Sequence, residues 1–254
     1  MKTNAQPIPK EEWLLLPRFC RIRLQRTPEL LNKFRHAFAC PAIFIFAAES
    51  NPVGVFLSFE KQREKKLPPG QSPIERILRW GIDHPGITSA NPHLQLGTYR
   101  LTIDGEVDKP VVLSWAEFVA LPSVVSVSDF HCVEGWSVLG CRWEGVRLSE
   151  IERLVNPKGI AKAVTFECAD AYTTSLFREE LVGDDVLLAY KLNDEALEEG
   201  YGFPVRLVVP SKYAYKSALW VVHLRFTRGK ELGFWERRGY SDNADVWKNQ
   251  RYNR

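Results

Sequence analysis

The sequence predicts an α+β fold that is strand-dominated with mixed sheets, and two observations carry that reading. Beyond about residue 98 the chain divides into short runs rich in β-branched and aromatic residues, the composition that suits a pleated, half-buried surface. Between these runs only two helix starts are written, and each soon meets a proline.

Taken in order, Met1 to about Glu60 is irregular. Leu30-Leu31 and Phe44-Ile45-Phe46 are apolar, but Pro28, Pro41 and Pro52 interrupt them. The charged run from Glu60 to Lys66, then Leu67-Pro68-Pro69-Gly70, reads as a solvated connector. The expected division is therefore an irregular extension over 1–66 and one domain with a C-terminal tail over 67–254. Tyr99 to Ile103 alternates and runs into Asp104-Gly105, a strand with its hairpin turn. Ser114 with Glu117 opens a helix that Pro122 closes, and Ser149 with Glu152 opens another that Pro157 closes. A serine and a glutamate three residues on can satisfy each other's free backbone N–H groups, which is why this spacing marks a helix start. Further strands are expected at Val124 to Phe130, Ala163 to Cys168, Val186 to Leu192, Val205 to Val209 and Leu219 to Phe226.

A chain of 254 residues with a net charge of +3 buries a real core and carries no whole-protein signature of nucleic-acid binding. No apolar run reaches the length of a membrane helix. The five cysteines, Cys20, Cys40, Cys132, Cys141 and Cys168, are odd in number and contain no C-x-x-C pair. They argue against a disulfide framework and against structural zinc. The most apolar N-terminal stretch, Ala37 to Ala48, comes late and contains Pro41, and the one Arg-Arg pair is Arg237-Arg238. Neither a secretory nor a twin-arginine signal is expected from this pattern, and the cytoplasm is the expected compartment.

Two stretches carry chemistry. Asp129-Phe130-His131-Cys132-Val133-Glu134-Gly135-Trp136-Ser137 lies where a strand gives way to a loop, with polar groups around one thiol. On its own Cys132 also reads as a packed, inert thiol. His131 is a poor base for it, because neighbours on a strand point to opposite faces. The second stretch, Gly202 to Pro210 followed by Ser211 to Ser217, opens its apolar strand with Arg206 and follows it with Lys212, Tyr213, Tyr215 and Lys216. It reads either as a solvated strand end or as an anion cradle in which Arg206 offers a planar fork and the lysines point charges.

Together these stretches resemble the sulfite-oxidase superfamily of molybdopterin enzymes, in its sulfite-oxidase-like branch. The likeness runs from about Leu67 to Tyr252. Its landmarks are D-F-H-C-V-E-G-W at Asp129 to Trp136, W-E-G-V at Trp143 to Val146 and Y-T-T at Tyr172 to Thr174. G-F-P-V-R-L-V-V-P at Gly202 to Pro210, K-S-A-L-W at Lys216 to Trp220 and F-W-E-R-R-G-Y at Phe234 to Tyr240 complete the set. The resemblance implies a molybdopterin-binding domain with Cys132 as the protein's ligand to molybdenum. Cys168 matches a position against the cofactor, Arg206 the arginine that holds it, and Ser217 the loop that closes over it, with Lys212 and Lys216 behind. Tyr201 stands where relatives often carry His or Asn, and Leu219 where many carry Lys. Sulfite oxidases proper follow their cysteine with C-x-G-N-R-R, and Ser137 stands in place of the anion-binding arginine. Sulfite is thus a poor candidate substrate, and the V-E-G-W continuation is closer to the catalytic subunit of periplasmic methionine-sulfoxide reductases.

The reaction expected is a two-electron oxygen-atom transfer on a small substrate, with a molybdenum-molybdopterin cofactor. Electrons are expected from a separate partner, since the remaining chain shows no haem module. The basic, tryptophan-bearing tail from Phe234 to Arg254 reads chiefly as a wrapped structural tail. Met1 is the only methionine, and residues before about Phe56 are expected to fall outside the functional protein. The alternative from another class is a non-enzymatic module that kept the fold and binds a different phosphate ligand.

Overall fold

The computed structural model describes residues 66–253 apart from Ser89. The expected N-terminal extension lies outside the described residues. Along the chain come β1 (Ser72–Pro73), β2 (Arg100–Gly105), β3 (Val111–Ser114), α1 (Trp115–Val119), β4 (Ser123–His131) and β5 (Trp136–Arg147). These are followed by α2 (Leu148–Val155), β6 (Ala163–Cys168), β7 (Thr173–Phe177), β8 (Leu187–Leu192), β9 (Glu195–Ala196), β10 (Arg206–Val208) and β11 (Val221–Thr227).

Two sheets result. The first runs β1-β5-β8-β10, with β4 along β5 and β9 on β8, and the second runs β3-β2-β11-β6-β7. The β1/β5 and β2/β11 pairs are parallel, among antiparallel neighbours, so both sheets are mixed. The fold class read from the sequence holds: strands dominate and helices connect them.

At β8 and β10 the first sheet is buried on both faces, and the period-2 alternation of these strands shows it. In β8, Leu188 joins the larger core with Phe118, Ile151, Phe166 and Leu224, while Leu187 and Ala189 face a second core with Phe130 and Trp143. In β10, Leu207 joins the larger core and Val208 the second. Strands covered on both faces lose the polar half of the alternation, so these segments read as nearly continuous apolar runs.

The first helix is capped as expected: Ser114 N donates to Glu117 Oε2 at 2.8 Å while Ser114 Oγ accepts from Glu117 N at 3.4 Å. The second is not. Its N-cap is Arg147, without a side-chain cap, because Glu152 instead accepts both Nε and Nη2 of Arg178 at 2.7 and 2.9 Å. Asp104-Gly105 also departs from expectation, forming the end of β2 rather than a tight turn. Among the described residues no helix is long and apolar enough to cross a membrane.

Candidate functional site

The turn between β4 and β5 carries Cys132. Its backbone is closed by Cys132 N donating to Trp136 O at 2.8 Å and Gly135 N donating to Cys132 O at 3.1 Å. Behind it runs a hydrogen-bonded chain of buried side chains. His131 Nδ1 meets Ser137 Oγ at 2.7 Å, Ser137 Oγ donates to Gln71 Oε1 at 2.9 Å, and Gln71 Nε2 donates to Cys132 O at 3.0 Å. His131 is thus turned to Ser137, away from the thiol, as the strand alternation requires.

The thiol itself faces a cleft of about 940 Å³, measured out to solvent at its mouth. Trp80 and His84, stacked with ring centroids 4.4 Å apart, line it. So do Tyr215, Trp235 and Tyr240, and the buried Arg206, Ser217 and Trp220. Burial pushes the Cys132 thiol up to about 12, so by itself it is a protonated thiol, and only a metal that displaces the proton would take it as thiolate. Cys132 Sγ lies 3.8 Å from Glu134 Oε2, which also accepts from Trp136 Nε1 at 3.2 Å, while Glu134 Oε1 meets His84 Nε2 at 2.8 Å. Partial burial works against ionisation of Glu134, but the His84 and Trp136 hydrogen bonds outweigh it and hold its carboxyl below the usual range.

Arg206 reaches the cleft from the start of β10, on the face that carries Val208. It is 2% exposed, donates to Tyr201 O at 3.2 Å and Ser217 O at 3.3 Å, and lies about 5 Å over the rings of Phe130 and Trp143. Its Nε has no partner, nor has the Trp220 indole N–H. None of its hydrogen bonds among the described residues goes to a carboxylate, and burial pulls its guanidinium down to about 10. Arg206 and Trp220 both line the cleft, and a buried cation without a carboxylate partner at its wall suits a bound anion rich in acceptor atoms. The phosphate and heteroatoms of a molybdopterin meet that need, and the Cys132 thiol offers the soft donor its metal takes.

The other residues singled out from sequence divide. Ser217 lines the cleft and accepts Val209 N on its Oγ at 3.0 Å. Cys168 does not line it; it is packed in the larger core at the foot of the turn whose Asp170 and Tyr172 do. Lys212 and Lys216 are not brought to the cleft at all. Lys212 Nζ meets Glu180 Oε1 at 2.5 Å, and Lys216, fully buried, pairs with Glu236 and with Asp242 at 3.3 Å. The two lysines therefore belong to a structural ion-pair network, whereas Arg206 is buried with no carboxylate partner among the described residues. Tyr213 packs under the tail with Ala244 and Val246, whereas Tyr201 O accepts from Arg206 and Leu219 lines the cleft. Sequence reasoning passed over Trp80, His84 and Asp170, while Tyr215, singled out with the cradle stretch, does line the cleft. Trp80 and His84 come from an irregular segment with no periodic pattern to mark it.

Comparison with known proteins shows the family. The family model described as oxidoreductase molybdopterin binding domain matches residues 88–235, more than half of the chain. The uncharacterized oxidoreductase YuiH of Bacillus subtilis is 40% identical over 154 residues, covering 61% of this chain and 78% of that one. The protein-methionine-sulfoxide reductase catalytic subunit MsrP of Campylobacter jejuni is 31% identical over 208 residues, covering 75% of this chain and 67% of its own. Among solved structures, the sulfane dehydrogenase SoxCD from Paracoccus pantotrophus superposes with a TM-score of 0.53 at 24% identity, over 81% of this chain and 60% of that chain. The last likeness speaks to the fold alone.

Proposed function

This chain belongs to the oxidoreductase molybdopterin-binding domain family, and on that premise we propose that it reduces a small uncharged sulfoxide with electrons from a separate protein. It is a molybdopterin-dependent oxidoreductase that catalyses oxygen-atom transfer. When bound, the cofactor supplies the two-electron exchange of an oxo group. The chain's own part is to ligate the metal through Cys132, to hold the cofactor's anionic portion with Arg206, and to shape the substrate's approach.

One observation carries the substrate reading: a carboxylate, not a cation, stands beside Cys132. Glu134 puts a negative charge within 3.8 Å of the sulfur, while Ser137 is buried in the hydrogen-bonded chain behind the turn. An oxyanion such as sulfite meets like charge there, and a neutral sulfoxide does not. The aromatic walls, Trp80, Trp136, Trp235 and Tyr240, suit the alkyl groups of a sulfoxide. Each turnover takes two electrons and two protons and releases a thioether and water. The Campylobacter relative, by its name the catalytic subunit of a methionine-sulfoxide reductase, supports both this chemistry and a distinct electron carrier. We place the protein in the cytoplasm, a reading supported by Cys132, Cys141 and Cys168 forming no disulfide among the described residues.

The test is molybdenum content with steady-state kinetics on a reduced dye, for wild type, Cys132→Ala and Glu134→Gln. Wild type should hold near-stoichiometric metal and turn over small sulfoxides, and Cys132→Ala should lose turnover. Glu134→Gln should bind sulfite as inhibitor about tenfold or more tightly, the scale of removing one nearby like charge. Faster sulfite oxidation than sulfoxide reduction by wild type would sink the substrate reading.

A further inference from the structure

The family match ends at residue 235 and begins at 88, yet the turn bearing Cys132 is held from outside those limits on both sides. Arg251, in the tail, donates through Nη1 to Val133 O and through Nη2 to Gly70 O at 2.9 Å and Pro69 O at 3.4 Å. From the N-terminal side Gln71 Nε2 donates to Cys132 O, and Ser72 N donates to Gly135 O at 2.8 Å. The carbonyls of Cys132, Val133 and Gly135 are thus all taken by donors far away in sequence.

The guanidinium is itself aimed. Asn249 Oδ1 accepts from Arg251 Nε at 2.8 Å and from Tyr213 O–H at 3.0 Å, and Arg251 lies 5.3 Å from the Tyr213 ring. Tyr213 is fully buried and fixed in turn by its N–H to Ala244 O at 2.9 Å. The approach is close enough to need glycine. A Cβ on Gly70 would stand 2.9 Å from Arg251 Nη2, and one on Gly135 would stand 3.1 Å from Gly70 O, with both residues at positive φ.

We propose that Arg251 is a positioning residue for Cys132: bridging the 69–70 loop, the cysteine turn and the tail, it clasps the turn so that the sulfur is already placed for the metal. The proposal rests on the reading of Cys132 as the molybdenum ligand. A planar fork with several donors can satisfy three carbonyls from two loops at once, which an ammonium cannot. Preorganising a ligand through its supporting residues is what keeps a metal site at one geometry.

The experiment uses the full chain with its cofactor, comparing wild type with Arg251→Met, Arg251→Lys and Asn249→Gly. Two readouts are taken: hydrogen exchange at the Cys132 and Gly135 amides, and molybdenum–sulfur coordination by X-ray absorption. In Arg251→Met those amides should exchange about tenfold or more faster, the ratio that goes with losing a charge-assisted hydrogen bond, while amides of β6 and β11 keep their rates. The sulfur coordination signal should weaken or broaden, and Arg251→Lys should restore part of both. Wild-type exchange and coordination in Arg251→Met would overturn the clasp. Should that variant not fold, Asn249→Gly, which frees the guanidinium without removing it and suits the positive φ at that position, is judged by the same criteria. If wild type takes up no molybdenum, the ligand reading fails, and the exchange data alone still decide whether Arg251 holds the turn.

Discussion

With its guanidinium buried and its Nε unpartnered, Arg206 should destabilise the cofactor-free protein. Its charged form is disfavoured in the fold, so the cost is fully present below a pH of about 10 and is relieved only as pH rises from there through the ordinary arginine range. Replacing it with Met, apolar and unbranched, should therefore stabilise the metal-free protein by about 1–3 kcal/mol. The same change should cut cofactor content by about tenfold or more, the scale seen when support for a bound group is lost. Calorimetry and metal analysis on one preparation check both. A site residue whose removal stabilises the empty protein acts on the ligand rather than on the fold. Lys216 is the contrast: also fully buried, it is paired with Glu236 and donates to Ser175 O at 3.1 Å, and it belongs to the architecture. Residue type alone could not separate these two cations, because the difference lies in partners contributed from 20 to 41 positions away.

Elements were legible where local chemistry decides them. β6 begins and ends where its β-branched run does, at Ala163 and Cys168, and the Ser114 capping box forms as spelled. Ser114→Ala should cost about 1 kcal/mol in urea denaturation. Metal content should not change, since α1 contributes no residue to the cleft. The longest strand, β5, was not legible: Gly140 and Gly145 break its pattern, and a register shift falls between Glu144 and Gly145. Its membership is decided by three neighbours, β1, β4 and β8, which no local window contains. The second capping box failed for a related reason, a distant arginine competing for Glu152. The cysteine turn was readable because strand, loop and polar crowding coincide in nine consecutive residues, whereas the part of the cleft lined by Trp80 and His84 is assembled by tertiary contacts such as Trp80 N to Gly200 O at 2.9 Å.

At the scale of the described domain, most charge at the surface is managed by pairing. Arg76 holds Asp83, Arg228 holds Glu106, Lys191 holds Glu144 and Arg225 holds Glu231, each carboxyl below its ordinary range. A carboxyl depressed in the folded state adds stability that is present above its unfolded value and lost as pH falls through the folded one. The melting temperature should therefore hold near neutrality and fall progressively below about pH 4. Added salt should trim the neutral plateau only slightly, because these pairs are largely exposed. The contact of Arg251 with Pro69 and Gly70 has a topological consequence as well: the two ends of the described domain meet, so the domain is close to a closed ring. A short flexible link from Asn253 to Pro68 would complete it, and the exposed loop at Val182 to Asp185 offers a place to open it elsewhere. A chain rewired in that way should fold and keep its cysteine turn protected in hydrogen exchange, so that order of synthesis and architecture become separable in this domain.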